Sequence, residues 1–280
     1  MRVLVTGGKG QLGRAFGELL ERRGIPFVLL GREDLDITNF AKVREIVLGG
    51  RFTHIVNCAA YTRVDEAERE WKRAYLVNGL GVRYLALAAE ACGAVLVHFS
   101  SDYVFDGEKG APYTIFDVPN PINRYGESKL LGEREVSLAG KWLLIRTSWV
   151  FGAGGMNFPK KVLLWAKDQE KLRIAQDEVS APTYVEDLAS ATLSLMEKGA
   201  LGLFHVSGNP ASRFEWAAYI LKLVGWKGIL EGAPLAEFNL PARRPRFSVL
   251  DPFGLWETAG IILPSWEEGT ERFLRREGFL

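Results

Sequence analysis

The chain has 280 residues, 48% of them apolar and 25% charged, with a formal net charge of +1. This is the composition of a water-soluble globular protein with room for a large main core and a smaller appended region, and it lacks the basic footprint of a nucleic-acid binder. No stretch of about 18 apolar residues occurs, and MRVLVTGGKG reads as neither a signal peptide nor a span, so no membrane partner is expected and the cytoplasm is the expected compartment.

Short β-branched runs alternate with longer helical patterns through the first 150 residues. Strands are expected at 2–6, 26–30, 54–60, 94–101 and 142–148. Helices are expected at 10–24, at 37–48 with Thr38 or Asn39 as cap, at 74–93, and from Tyr125 to about Val136. The 74–93 helix is so apolar that it reads as buried rather than amphipathic. Near-continuous apolar strands separated by helices predict an α/β fold: a Rossmann-type, doubly wound parallel sheet. After residue 150 the pattern is mixed, with helices near 157–168, 184–197, 212–224 and 266–277 and strands near 172–175 and 202–207. The stretch 228–254 is rich in Pro and poor in periodicity, as an extended substrate loop would be. The expected organisation is a dinucleotide-binding domain over 1–150 and a closely packed, mixed α/β substrate-binding region over 151–280, with the chain free to cross between them.

Cys58 and Cys92 sit in apolar surroundings and read as small buried residues rather than a disulfide or a nucleophile. The three histidines, His54, His98 and His205, lie in or beside apolar strands without partners at metal-ligand spacing, so no metal site is expected.

GGKGQLG (7–13) follows the first strand and opens the first helix, satisfying G-x-G-x-x-G through Gly8, Gly10 and Gly13, and the wider G-x-x-G-x-x-G through Gly7. Small residues let the backbone approach a pyrophosphate, whose charge the helix N-terminus stabilises. The tip of the second strand reads LLGRED, with Gly31 and Arg32 where an NAD-binding fold places an acid. Arg32 suits the 2′-phosphate of NADP, or is a solvated loop arginine; Asp36 and Ile37 flank the adenine in an alternative reading. NADPH is the expected cofactor, with NADH still open.

Ligands of such sheets bind beyond the carboxyl ends of the strands. Three segments converge there: Ala60-Tyr61-Thr62, Ser100-Ser101-Asp102-Tyr103, and the helix with Tyr125 and Lys129 four residues apart on one face. A hydroxyl (Ser101), a phenol (Tyr125) and an ammonium group (Lys129) near a nicotinamide make a carbonyl-reductase site. The ammonium is expected to lower the phenol's pKa for general acid–base catalysis. Arg124, Glu127 and Glu133 on the same helix read as ordinary helix and surface charge.

The stretches VTGGKGQLG (5–13), VNCAAYTRVDEAE (56–68), SSDYVFDG (100–107), YGESKLLGE (125–133), RTSWVFG (146–152), SAPTYVEDLA (180–189) and RPRFSVLD (244–251) resemble the extended short-chain dehydrogenases/reductases. Within them, the likeness is to the family of dTDP-4-dehydrorhamnose reductases. The resemblance implies NAD(P)H-dependent reduction of the 4-keto group of dTDP-4-dehydro-L-rhamnose to dTDP-L-rhamnose. It implies Tyr125 as proton donor, Lys129 as its partner and holder of the nicotinamide ribose, and Ser101 in a position usually held by threonine. Gly10, Gln11 and Leu12 would line the pyrophosphate, and Ala60, Tyr61, Thr62 and Phe99 the rest of the cofactor. Ser101, Asp102 and Trp149 would meet the sugar nucleotide, with Asn157 and Phe158 placed to read the thymine and Arg244 to pair with the diphosphate; Arg243 and Arg246 leave that last choice open. Phe151 stands where relatives often have tyrosine, which would remove one polar contact. A magnesium-binding acidic cluster known in some relatives has no counterpart in this sequence reading. Two alternatives remain: a nucleotide-sugar 4-epimerase, and a cofactor-binding regulatory subunit like that of methionine adenosyltransferase. A homodimer also stays open.

Overall fold

The computed structural model describes residues 1–280. The chain runs through β1 (Val3–Thr6), α1 (Gln11–Arg22), β2 (Phe27–Leu30), α2 (Phe40–Gly49) and β3 (His54–Asn57). Two short helices follow, α3 (Val64–Ala67) and α4 (Trp71–Tyr75), then a π-helical turn (Leu76–Leu80), α5 (Gly81–Cys92), β4 (Val95–Ser101), α6 (Arg124–Val136), β5 (Trp142–Thr147) and β6 (Val150–Phe151). The later part comprises α7 (Phe158–Asp168), β7 (Lys171–Ala175), β8 (Val179–Ser180), β9 (Thr183–Tyr184), α8 (Val185–Glu197), β10 (Gly202–His205) and β11 (Ala211–Ser212). It ends with α9 (Arg213–Leu223), β12 (Ile229–Ala233), α10 (Leu255–Ala259) and α11 (Trp266–Arg276). No helix is long and apolar enough to cross a membrane.

Six strands form one parallel sheet in the order β2-β1-β3-β4-β5-β10. The period of two divides its side chains between two cores. Val3, Val5, Val56 and Val97 pack with α1, α8 and α9 on one face, and Leu4, Ile55 and Leu96 pack with α2 and α5 on the other. This is the doubly wound architecture expected from the apolar strand runs. Strand order reverses between β1 and β3, which opens a crevice at their carboxyl ends. β10, from the later part of the chain, completes the sheet beside β5.

The structure corrects three expectations. The 74–93 segment is not one buried helix: α4, a π-helical turn and α5 follow one another, and Leu76, Leu80 and Leu87 lie on an exposed side. Only one face of this segment meets the sheet, and apolar composition alone does not report which. The 228–254 stretch is not wholly extended loop, because β12 pairs in parallel with β7 from Ile229↔Lys171 to Ala233↔Ala175. This two-stranded ribbon is half exposed, so its strand carries no clean alternation for a sequence reader. Glu133 is not surface charge either. It accepts two bonds from Arg146, Nε–Oε1 at 2.9 Å and Nη2–Oε2 at 2.7 Å, with both side chains about 5% exposed, 4% and 6%. The guanidinium also lies 5.0 Å from the Phe105 ring. Arg146 on β5 thus anchors the last turn of α6, the helix that carries Tyr125 and Lys129.

Breaking a buried pair leaves an uncompensated charge, so Glu133→Ala is expected to lower unfolding free energy by ~3–5 kcal/mol in urea titrations. Glu135→Ala, which removes the partner of the more exposed Arg83, is expected to cost ~1 kcal/mol or less. Equal losses from the two variants would contradict this.

Candidate active site

The turn after β1 is shaped by close approach. Gly7 has φ +67°, and a Cβ there would lie 2.6 Å from the Ala59 nitrogen; one on Gly13 would lie 2.4 Å from the Gly7 carbonyl oxygen. Gly10 caps α1 without a side-chain hydrogen bond, which leaves the first amides of the helix available to an anion. Gly10, Gln11 and Leu12 line a cavity of about 710 Å³ that also takes in Ala60, Thr62 and Phe99. Gly7 and Gly13 shape the turn from behind. The Gln11 carboxamide oxygen is committed elsewhere, accepting from Gly152 N at 2.9 Å and Asn157 Nδ2 at 2.8 Å.

Four further expected cofactor residues, Tyr61, Ile37, Asp36 and Arg32, do not line this cavity. Tyr61 is 7% exposed, its amide bonded to Asn78 Oδ1 at 2.8 Å and its hydroxyl to Glu70. Ile37 is a core side chain, packed where α5 begins at Gly81. Asp36 binds the Thr38 amide and hydroxyl and pairs with Arg32 at 3.3 Å. Arg32 itself is exposed beside the end of β2, where its guanidinium would exchange Asp36 for a phosphate. Lys9, which the sequence reading passed over, lies against Gly31 and pairs with Glu33 at 3.0 Å.

The catalytic candidates meet at the carboxyl end of β4. Asn123 caps α6 by accepting from the Gly126 amide at 2.7 Å, and ties the Pro-rich loop down through Arg243 O at 2.8 Å. A Cβ on Gly126 would come within 2.1 Å of the Tyr103 carbonyl oxygen, so the first turn of α6 presses directly on the chain leaving β4. That contact brings Tyr125 to Ser101. Asn78, displaced inward by the π-helical turn, donates to Ser128 Oγ and to Tyr61 O, both at 2.9 Å. It joins the exit of β3 to α6, and a turn of this kind inside a helical run often marks a functional site.

The expected partnership between ammonium and phenol is not what the geometry gives. Lys129, 3% exposed, donates from Nζ to the Phe99 carbonyl at 2.6 Å, and burial pushes its pKa down to about 8 against the pull of Glu133. Burial pushes the Tyr125 phenol up to about 12; a hydrogen bond from Ser101 favours the phenolate and the charge of Asp102 opposes it. Desolvation therefore outweighs any gain from the cation, and Tyr125 stands as a neutral phenol.

Asp102 is also placed differently from a free sugar ligand. Its Oδ1 accepts from Ser101 at 3.0 Å, and its Oδ2 from Ser248 at 2.6 Å and Ser180 at 3.0 Å. Asn157 uses both amide hydrogens on Gln11 and Gly152 and its oxygen on the Lys160 amide, so it caps α7 and keeps no donor for a base. Arg244 is paired with Asp65 at 2.8 Å and bonded to Ala242 O. Phe151 is fully buried among Trp216, Tyr184 and Phe273, so a hydroxyl there would not reach the cavity. Trp149 and Phe158 do line the cleft. Trp149 has φ +43°, unusual for a bulky residue, and its buried Nε1 has no partner. A donor held in strained backbone and lacking an acceptor suits a ligand oxygen. Tyr103, from the expected segment after β4, also lines the cleft, as do Trp165, Arg173, Glu178, Arg213 and Trp216, which were missed. The one local signal was the Ser212–Glu215 capping box, which marks Arg213 as the first residue of a helix.

The family model described as RmlD substrate binding domain matches residues 1–278. The chain belongs to this family. It is 38% identical over 287 residues to a dTDP-4-dehydrorhamnose reductase of Burkholderia thailandensis, with 95% of each chain covered. The crystal structure of a family member from Clostridium acetobutylicum superposes with a TM-score of 0.97 at 36% identity, covering 99% of this chain and 100% of the other. One from Bacillus anthracis, solved in complex with NADP, gives 0.94 at 38%, covering 98% and 99%.

The family fold here pairs an uncapped helix start with an exposed arginine at the tip of β2, an arrangement that fits a dinucleotide carrying an extra phosphate. Arg32→Ala is expected to weaken NADPH binding about tenfold or more, as loss of charge-assisted hydrogen bonds does, and to leave NADH binding unchanged. Fluorescence titration with both nucleotides checks this; equal losses would remove Arg32 from the 2′-phosphate.

Proposed function

We propose that the chain reduces the 4-keto group of dTDP-4-dehydro-L-rhamnose to dTDP-L-rhamnose with NADPH, the last step of dTDP-rhamnose synthesis. The observation that carries this reading is that Ser101, Tyr125 and Lys129 line one cavity at the carboxyl end of β4, in a member of this family. The relative from Burkholderia thailandensis and both solved structures carry the reductase name, and the NADP of the Bacillus anthracis structure supports the cofactor.

NADPH held at Gly10, Gln11 and Leu12, where α1 starts without a side-chain cap, would supply hydride to the ketone carbon. The protein's part is to hold and protonate the ketone oxygen. Tyr125, neutral because it is desolvated, donates its phenolic proton to that oxygen. The Ser101 hydroxyl, whose oxygen accepts from the Tyr103 amide at 3.1 Å and whose hydrogen rests on Asp102 Oδ1 at 3.0 Å, turns from Asp102 to donate a second hydrogen bond to the ketone oxygen. Lys129, its ammonium held by the Phe99 carbonyl, lines the same cavity and supplies the positive charge of the site when Tyr125 gives up its proton. The aromatic walls of Trp149 and Phe158 exclude water from the reacting face.

Purified protein given the 4-keto sugar nucleotide should consume NADPH in stoichiometry with product; no consumption would overturn the proposal. Tyr125→Phe should lower turnover ~10²–10⁴-fold while NADPH still binds. The pH dependence follows from Lys129, whose folded pKa is depressed to about 8: its charge is present below that pH and lost above it. The kcat/KM is therefore expected to fall as pH rises through about 8. Lys129→Arg, less active but permanently charged, should lose this alkaline limb, and an unchanged limb in that variant would assign it to another group.

A further inference from the structure

Arg213 opens α9 with its guanidinium laid on the Trp149 ring, Cζ 3.4 Å from the centroid, and with Phe158 at 4.8 Å and Trp216 at 6.0 Å. Its side chain is 18% exposed. The one ionic partner is Glu178, at 3.6 Å from Nε, and its side chain forms no hydrogen bond within the protein. A guanidinium has five N–H donors, and leaving them unmet out of water is costly. The other arginines of the cleft are engaged: Arg244 with Asp65 and Ala242 O, and Arg173 with Glu237. Lys161 is exposed to solvent. Arg213 is thus the enclosed arginine of the cleft with donors to spare.

Its position along the cleft is equally specific. The rings of Tyr125 and Tyr103 are 5.8 Å apart, and the Tyr103 hydroxyl is 3.5 Å from Glu178. Glu178 leads to Arg213, and beyond it the rings of Phe158 and Trp165 stand 6.3 Å apart. The guanidinium therefore lies between the proton donor and an aromatic compartment. In a nucleoside diphosphate sugar, the diphosphate occupies the same intermediate place between the reacting hexose and the base.

We propose that Arg213 is the residue that binds the diphosphate of the sugar nucleotide. It exchanges Glu178 for phosphate oxygens while the Trp149 indole keeps its plane fixed. This rests on the nucleotide-sugar reading above, and it moves the diphosphate from Arg244 to a residue on another element. The guanidinium fork matches phosphate geometry in a way an ammonium does not.

The test is calorimetric titration of the NADP-saturated protein with thymidine diphosphate and with thymidine. Arg213→Ala should weaken thymidine diphosphate ~10–100-fold and thymidine less than ~3-fold, closing the gap between the two ligands; Arg213→Lys should recover part of it. In turnover, KM for the sugar nucleotide should rise more than kcat falls. Retained NADP binding certifies the fold, and Arg213→Gln, which keeps the packed stem, repeats the comparison if the alanine variant loses it. Equal weakening of both ligands, or an unchanged gap, would overturn the proposal, as would a gap closed by Arg244→Ala and not by Arg213→Ala. If the parent protein turns over the sugar nucleotide and Arg213→Ala binds like it, this inference alone falls. If the parent binds no nucleoside diphosphate, the proposed function falls with it.

Discussion

A single carboxylate, 2% exposed, ties together the three parts of the chain that make the cleft. Asp102 receives hydroxyl hydrogens from Ser101 at the end of β4, from Ser180 on β8 and from Ser248 in the Pro-rich loop. Burial pushes its pKa up to about 6, and the three serines pull against that rise. A charge this deep is tolerable only with most of its acceptor positions filled, so each serine is held where it is by the penalty of leaving Asp102 unmet. The consequences spread outward. Ser101 gains a fixed oxygen position near Tyr125. Ser180 fixes β8, which pairs with β11 through Ser180↔Ala211 and Val179↔Ser212, and β11 runs straight into α9 and Arg213. One buried charge thus sets both the reacting end of the cleft and its proposed diphosphate end.

A second junction joins the glycine-rich side of the cleft to its aromatic side. Gln11, in the first turn of α1, accepts from Gly152 and from Asn157, and Asn157 caps the helix that carries Phe158 and Trp165. The glycine-rich turn and the aromatic compartment therefore share one carboxamide. An error in the placement of either would cost hydrogen bonds in both, which explains why two regions distant in sequence meet with so little slack.

What could be read from the sequence, and what could not, divides along the length scale of the interaction. The sheet was legible because β1, β3, β4 and β5 are buried on both faces and so read as continuous apolar runs. The meeting of Ser101, Tyr125 and Lys129 was legible because strand ends converge at a switch point. The partners of those residues were not. Ser180 and Ser248 lie 78 and 146 residues from Asp102, and nothing local distinguishes them from other serines. Glu133 looked like surface charge because its partner is on a strand formed after it. Asn78 was invisible inside an apolar helical pattern, where a π-helical turn leaves no compositional trace. Arg213 was overlooked for the same reason: its environment is assembled from Trp149, Phe158 and Glu178, each on a different segment.

The electrostatic ordering of the cleft also bears on the direction of the chemistry. Tyr125 is held at about 12, Lys129 at about 8 and Asp102 at about 6. At neutral pH the phenol keeps its proton. A 4-epimerase begins by oxidising its sugar and must first remove a hydroxyl proton, which calls for the phenolate. A reductase begins from a ketone and must first supply a proton, which calls for the phenol. Desolvation at Tyr125 therefore prepares the second reaction and handicaps the first. The absence of a direct bond from Lys129 to the phenol works in the same sense. An ammonium in contact would bring the phenolate within reach, whereas one anchored on the Phe99 carbonyl leaves the phenol intact, as the proposed role of Tyr125 as proton donor requires.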